Sequence, residues 1–506
     1  MRRKFLPLFL SLLASLSTLS TLAYARGGGG HSSGGGGHSS GGGFGGGHSS
    51  GFGGGGGYGG GGVYYGGSSG GSPIFFFVLF IIVVIGILVL SRMMKNNDGE
   101  DRASELLHHS QYMPQAGVNQ KVNLEALREF DPAFSRPVFL DFVYSLFAKL
   151  HKSRAEDAKE LFELQPYFSE SALSQYQILS QNVQEIRGVL ISGIQLVSES
   201  MLGENLQLTV RLEGNYTEVD VKGHSQSYYT EETWTFQKKK GVKSKAPSAA
   251  KQINCPACGA PPKLNDDGTC GSCGRKIRSG DFDWFVDHVA VRRNQTPPLL
   301  DETVEETGTE LETLFDPEFK QEAEAFQQKH PEFKWTEFGE RVKTTYFALQ
   351  NAWTERKWDL VRPYESENIF QTHLYWINEY EKQNRVNVLK DIVIHKTVPV
   401  KIEEDLYYES ITTRVYGSMI DYTIEASTNK MVCGDTQSKR EFTEYWTFIR
   451  THQSPEKKKH DQGCPACGAP LKINQAGRCE YCSTLITTGD YEWVLSQIEQ
   501  DETYEG

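Results

Sequence analysis

Two pairs of cysteine knuckles constrain what this chain can fold into more than any other feature. Cys255-Pro256-Ala257-Cys258 is followed by Cys270-Gly271-Ser272-Cys273, and Cys464-Pro465-Ala466-Cys467 by Cys479-Glu480-Tyr481-Cys482. Eleven residues separate the knuckles in each copy. A Cys-x-x-Cys turn lets both sulfurs reach one ion, so two such turns predict a tetrahedral Zn²⁺ site, with a disulfide network as the alternative. Four cysteine ligands fill the tetrahedron and leave no place for water, so both zinc ions are expected to be structural. Both copies run on into Gly-Asp-aromatic-acid-Trp, Gly280 to Trp284 and Gly489 to Trp493, which suggests that the duplicated region extends beyond the zinc modules.

A chain of 506 residues exceeds one ordinary core, and a net charge of −12 disfavours a dedicated nucleic-acid binder. Eight of the nine cysteines belong to the knuckles. The ninth, Cys433, has no activating neighbour in sequence and is expected to be a packed or surface thiol. Thiolate zinc sites persist in reducing surroundings, which predicts the cytosol for residues beyond 250.

The N-terminus addresses a membrane. Arg2, Arg3 and Lys4 precede an apolar run and Ala23-Tyr24-Ala25, so residues 1–25 read as a secretory signal, with a twin-arginine signal as the alternative. Residues 26–73 are mostly glycine and are expected to form a flexible tail, because they cannot bury enough apolar surface to offset backbone entropy. Weak metal binding by His31, His38 and His48 is the alternative there. Residues 74–94 are long and apolar enough for a transmembrane helix. Arg92 and Lys95 flank its far end, so the positive-inside rule places the tail outside and everything after Arg92 in the cytoplasm. An uncleaved signal would give a two-helix hairpin with the same outcome for the zinc modules.

After a polar linker over 95–130, a first domain is predicted over 131–240. Phe139, Val143, Leu146, Phe147 and Leu150 share a helix face, with further helices near Ala155–Leu164 and Ser169–Ser180. Leu206, Leu208, Val210 and Leu212 then alternate with polar residues, and Val219–Val221 and Tyr228–Phe236 read as further strands. The order is helices first and then an antiparallel meander, an α+β domain. A basic run from Lys238 to Lys245 leads to a zinc ribbon at 251–290, and an acidic linker is predicted over 297–328. The second domain, 329–450, repeats the plan. Phe338, Val342, Tyr346, Leu349 and Trp353 form its helix face, Arg362-Pro363-Tyr364 matches Gln165-Pro166-Tyr167, and Ile420, Tyr422 and Ile424 alternate. Glu444-Tyr445-Trp446 echoes Glu232-Thr233-Trp234. A second ribbon is predicted at 461–500.

Phe315-Asp316-Pro317-Glu318-Phe319, Ala352 to Pro363, Gln371-Thr372-His373 and Asn387-Val388-Leu389 resemble the domain of the mitochondrial inner-membrane translocase subunit that anchors the import motor. The first domain shares the pattern through Phe130-Asp131-Pro132-Ala133-Phe134. Proteins with a signal, a glycine-rich tract, a membrane helix, this domain and zinc ribbons are described as zinc-ribbon transport proteins. The resemblance implies a helix-capped curved antiparallel sheet, similar to nuclear transport factor 2, with an apolar cavity and a role in binding membrane and protein.

The expected function is therefore a non-catalytic scaffold or transport-associated protein that binds protein or lipid at the cytoplasmic membrane face. The cavities would serve as ligand sites unless aromatics such as Trp234, Trp376 and Trp446 fill them. An enzyme using His373, His395, Asp391 or Asp421 is a second possibility, although no spacing marks these residues as an acid–base pair. Nucleic-acid binding through the ribbons is a third, and the mixed charge around Asp266, Asp267, Asp281 and Asp283 disfavours it. The basic runs would then face anionic lipid or solvent.

Overall fold

Helical spacing followed by strand alternation produces the same two-layer arrangement twice. The computed structural model describes residues 122–155, 158–250, 253–261, 263–265, 267–295, 308–452, 463–464, 466–470, 472–474, 477–501, 503–504 and 506, all within one compact unit. The predicted signal peptide, glycine-rich tail and membrane span lie outside these residues. Among the described residues, no helix is long and apolar enough to cross a membrane.

The first domain begins with α1 (Leu124–Phe130) and α2 (Arg136–Ser153). Ser135 caps α2 by accepting the Val138 N–H, and Pro137 presets the backbone of its first turn. Phe139, Val143, Leu146, Phe147 and Leu150 are all buried on one α2 face, as their spacing requires. Two shorter helices follow, α3 (Ala158–Phe162) and α4 (Glu170–Leu179), the latter capped by Ser169. Strands β1 (Val183–Leu202), β2 (Asn205–Asp220) and β3 (Ser225–Lys238) form a meander, and after a short α5 (Pro247–Ala250), β4 (Phe285–Gln295) pairs antiparallel with β3. The sheet order is β1-β2-β3-β4. Leu206, Leu208, Val210 and Leu212 of β2 are buried beneath the helices. Each such side chain contributes roughly 1.5–3 kcal/mol.

The second domain uses α6 (Phe319–Lys329), α7 (Trp335–Glu355), a 3₁₀ turn (Trp358–Tyr364) and α8 (Glu367–Lys382) against β5 (Arg385–Glu404), β6 (Tyr408–Glu425), β8 (Arg440–Thr451) and β9 (Val494–Gln500). Its order is β5-β6-β8-β9, with the short β7 (Met431–Gly434) paired to β6.

Three expectations about boundaries change. The predicted linker over 95–130 holds α1, whose Leu127 is buried in the first core. Each zinc module was expected to follow its sheet, but it interrupts the sheet instead, lying between the third and last strands of the meander. The segments 251–290 and 461–500 therefore take in the start of β4 and all of β9. The reason lies in the shared tryptophan. The Lys238 ammonium stands 5.1 Å from the Trp284 ring centre and the Arg450 guanidinium 4.7 Å from that of Trp493. Each cation ends the preceding strand, so the stacked pair turns the exit of the module back onto the sheet. The acidic segment 297–328 also holds most of α6, whose Phe326 is buried against Phe333 at 5.1 Å between ring centres.

The two domains pack together through different faces. On the first, α2 and β1 take part. On the second, the surface comes from α8 and the ends of β5, β6 and β8. Tyr144 Oη lies 3.4 Å from Thr372 Oγ1, Asn368 donates to Asp141, and Arg136 pairs with Glu403 at 3.5 Å. Tyr408 and Ile449 join the first core, while Leu190 joins the second. Gly188 sits at a bulge in β1 with φ +59°. A Cβ there would meet the Tyr375 ring at 2.8 Å. Gly188→Ala is therefore expected to cost about 1–3 kcal/mol through backbone strain and a lost domain contact. Chemical denaturation would check this, and an unchanged midpoint would show that the contact is dispensable.

Candidate metal centres

Each module is two hairpin-like knuckles around four sulfurs. Within each set the four Sγ atoms lie within 4.8 Å of one another. Cys258 Sγ is 4.0 Å from Cys270 Sγ, and Cys464 Sγ is 3.9 Å from Cys482 Sγ. A tetrahedron with Zn–S bonds of about 2.3 Å has edges of about 3.8 Å, so the spacing fits a zinc-sized ion. In both sets the first and third cysteines are buried and the second is exposed. Leu264 and Ile277 in one module, and Ile486 in the other, supply only a small apolar core around the sulfurs. Such a core is too small to hold a module of this size without a cross-link or metal.

The turn chemistry explains why the knuckles look alike. In each, the N–H of the residue after the second cysteine donates to the carbonyl of the first: Gly259 to Cys255 and Gly274 to Cys270 at 2.8 Å, Gly468 to Cys464 at 2.7 Å, and Ser483 to Cys479 at 2.8 Å. That position is left-handed in all four, with φ between +58° and +76°. Three carry glycine and the fourth carries Ser483, whose Cβ opposes this conformation. Ser483→Gly is expected to stabilise the second module by about 0.5–1 kcal/mol. Slower zinc release to a chelator would check it; equal or faster release would mean that the serine side chain contributes more than its strain.

The other sequence candidates are scattered. His373 is buried, with Nδ1 2.6 Å from Glu365 Oε1, in a helix–turn contact inside the second core. His395 lies at the surface beside Ser418 and Glu441. Asp391 occupies a β5 bulge with φ +50°. Asp421 accepts from Asn387, which in turn accepts the Trp353 indole N–H. Nothing brings these four together. Cys433 is half-buried on β7, opposite Thr423. Trp234 and Trp446 are wholly buried and Trp376 nearly so. A cavity of about 140 Å³ lies between the domains, with Tyr144, Ile191, Arg211, Asn368, Thr372 and His373 among its walls.

Three lysines of the first basic run are tied down, while Lys240 and Lys243 stay exposed. Lys238 pairs with Asp131 at 3.1 Å with both side chains buried, Lys239 with Asp281 at 2.6 Å, and Lys245 with Asp283 at 2.8 Å. These ions strap the linker to the domain and to the exit of the ribbon.

Sequence reading missed the buried polar centre of the first domain. Glu232 Oε1 lies 3.0 Å from His151 Nε2, and Oε2 accepts from Tyr176 and, at 2.9 Å, from the Trp234 indole. Arg154 Nη1 stands 3.0 Å from His151 Nδ1 and its other nitrogen bonds Glu218. Arginine has no acceptor, so Nδ1 must accept and His151 is the neutral tautomer carrying its proton on Nε2. The second domain keeps one part of this arrangement: Glu444 accepts the Trp446 indole N–H at 2.9 Å. The Glu-x-Trp spacing was visible in both repeats and is the signal that could have found it.

With this geometry in place, the comparison with known families is informative. Residues 320–460 match the Tim44-like domain. No curated protein matches the chain. The Tim44-like segment runs from α6 through β8 and ends before Cys464, so β9, which completes that sheet, comes from beyond the matched region. The first domain repeats the same order of helices and strands outside the match.

Proposed function

We propose that this chain is a membrane-anchored, non-catalytic scaffold that binds protein or lipid partners at the cytoplasmic face, in a transport-associated role. The observation that carries the reading is the Tim44-like domain at 320–460, packed against a second domain of the same architecture. In this reading residues 74–94 span the bilayer once, with the glycine-rich tail outside and all residues after Arg92 inside. Each cysteine set holds one structural Zn²⁺ through Cys255, Cys258, Cys270 and Cys273, or through Cys464, Cys467, Cys479 and Cys482.

Crosslinking of the full-length protein in its native membrane, followed by mass spectrometry, tests the scaffold role. A reproducible protein or lipid adduct on the domain surfaces is expected, and adducts no more frequent than on an unrelated anchored protein would overturn it. Protease added to sealed right-side-out vesicles should leave both ribbons intact. Their digestion would reverse the proposed topology.

A further inference from the structure

One end of the second sheet, within the Tim44-like segment and apart from the cysteine motifs, gathers a set of metal-ligating side chains. His330 caps the end of α6, Glu404 closes β5, Glu409 opens β6, and His452 follows β8. One ligand atom each from His330, Glu404 and Glu409 lies within 4.8 Å of the others. Glu409 is almost fully buried. Its Oε2 is held by Arg450 at 2.6 Å, which leaves Oε1 facing two imidazoles: His330 Nε2 at 2.8 Å and His452 Nδ1 at 3.2 Å.

His452 is oriented from its far side. Its Nε2 lies 2.5 Å from the Asp405 carbonyl, which only accepts, so Nε2 donates there and Nδ1 faces Glu409 Oε1. A backbone carbonyl fixing the far nitrogen is the usual way a metal-binding imidazole is oriented. His330 reinforces this. Its Nε2 is buried and makes no aligned hydrogen bond despite its closeness to Glu409.

We propose that His330, Glu404 and Glu409 form a third divalent-cation site, of nitrogen–oxygen type, best suited to Zn²⁺ or a similar borderline ion, with His452, 3.2 Å from Glu409 Oε1, swinging in as the fourth ligand. Two imidazoles and two carboxylates match such ions, and the two histidines are partly open to solvent, which provides an entry path. Lys329 pairs with Glu404 and lies 4.0 Å from Glu409, acting as a tethered competitor that moves to solvent when an ion binds. The first sheet provides an internal comparison. At the positions that match Glu409, Arg450 and His452 by strand register, it carries Leu206, Lys238 and Lys240. The cluster is thus a property of this domain and not of the fold.

The test is metal counting on full-length, tag-free protein dialysed against a zinc-buffered solution. Three Zn²⁺ per chain are expected, falling to two in His330→Asn/His452→Asn while the cysteine-bound ions remain. Co²⁺ substitution distinguishes the sites, because only the cysteine sites give intense sulfur-to-metal charge-transfer bands. Lys329→Met leaves every proposed ligand in place and is expected to tighten the third site about tenfold by removing the competing charge. Two ions in the wild type, or three retained in the double histidine variant, would overturn the proposal. So would an unchanged or weaker third site in Lys329→Met.

Discussion

Cys464→Ser combined with Cys479→Ser is expected to remove one zinc ion per chain and to release β9 from the second sheet. Both thiols are buried, and the module they close separates β8 from β9. With the module loosened, β9 no longer returns in register, and Val494, Leu495 and Trp493 lose their burial. We expect the second domain to lose about 3–5 kcal/mol, since burying each such side chain contributes roughly 1.5–3 kcal/mol and part is already buried in realistic unfolded states. Metal analysis should show one zinc fewer, and hydrogen exchange should accelerate in Glu444–Ile449, which pairs with β9. Full zinc content with unchanged exchange would rule out the assignment. A chelator-resistant, reductant-sensitive module would point to disulfides instead.

The second large effect belongs to the buried centre of the first domain. Glu232→Ala strips an acceptor from His151, Tyr176, Thr230 and the Trp234 indole at once, and is expected to cost about 3–5 kcal/mol. The same centre makes stability acid-sensitive. Burial depresses the His151 value, outweighing the pull of Glu232, and Arg154 adds to the effect. The unfolded ring therefore takes up a proton near its ordinary 6.5 that the folded ring refuses. This contribution is complete above about pH 6.5 and is lost below it at up to about 1.4 kcal/mol per pH unit. Burial alone would raise the Glu232 value, but the pull of the adjacent His151 and then the hydrogen bonds from His151, Tyr176 and Trp234 bring it below the usual 4.5, so its contribution is lost at still lower pH. His151→Gln should flatten the stability profile between pH 6.5 and 5 relative to wild type. Parallel profiles would mean that His151 is protonated in the folded state.

Local patterns predicted the elements better than their partners. The α2 and α7 faces, the β2 alternation and the cysteine knuckles are short-range signals, and each corresponds to an observed element or cluster. The return of β4 and β9 was hidden because a strand pairing across a whole zinc module leaves no periodic trace. Phe285, Val286 and Val289 simply looked like the end of the ribbon. In α6, acidic residues concealed a helix whose single buried anchor is Phe326. The buried charges were the least legible. Alternation puts Glu232 on the face of Trp234 but says nothing of its partners, and Arg414 pairs with Asp501 at 2.8 Å inside the second domain. A charge becomes tolerable in a core only through a partner that folding supplies.

The unequal faces through which the domains meet have a consequence for how such a protein can change. In a two-fold symmetric dimer of identical chains, every substitution appears twice and strikes both sides of the contact. Here the two copies share one chain and offer unlike surfaces, so a change at Gly188 or Tyr375 is felt once, on one side only. Each half is free to drift while the other preserves the joint. A histidine–carboxylate cluster can therefore arise on one copy without its twin having to accommodate the same charges.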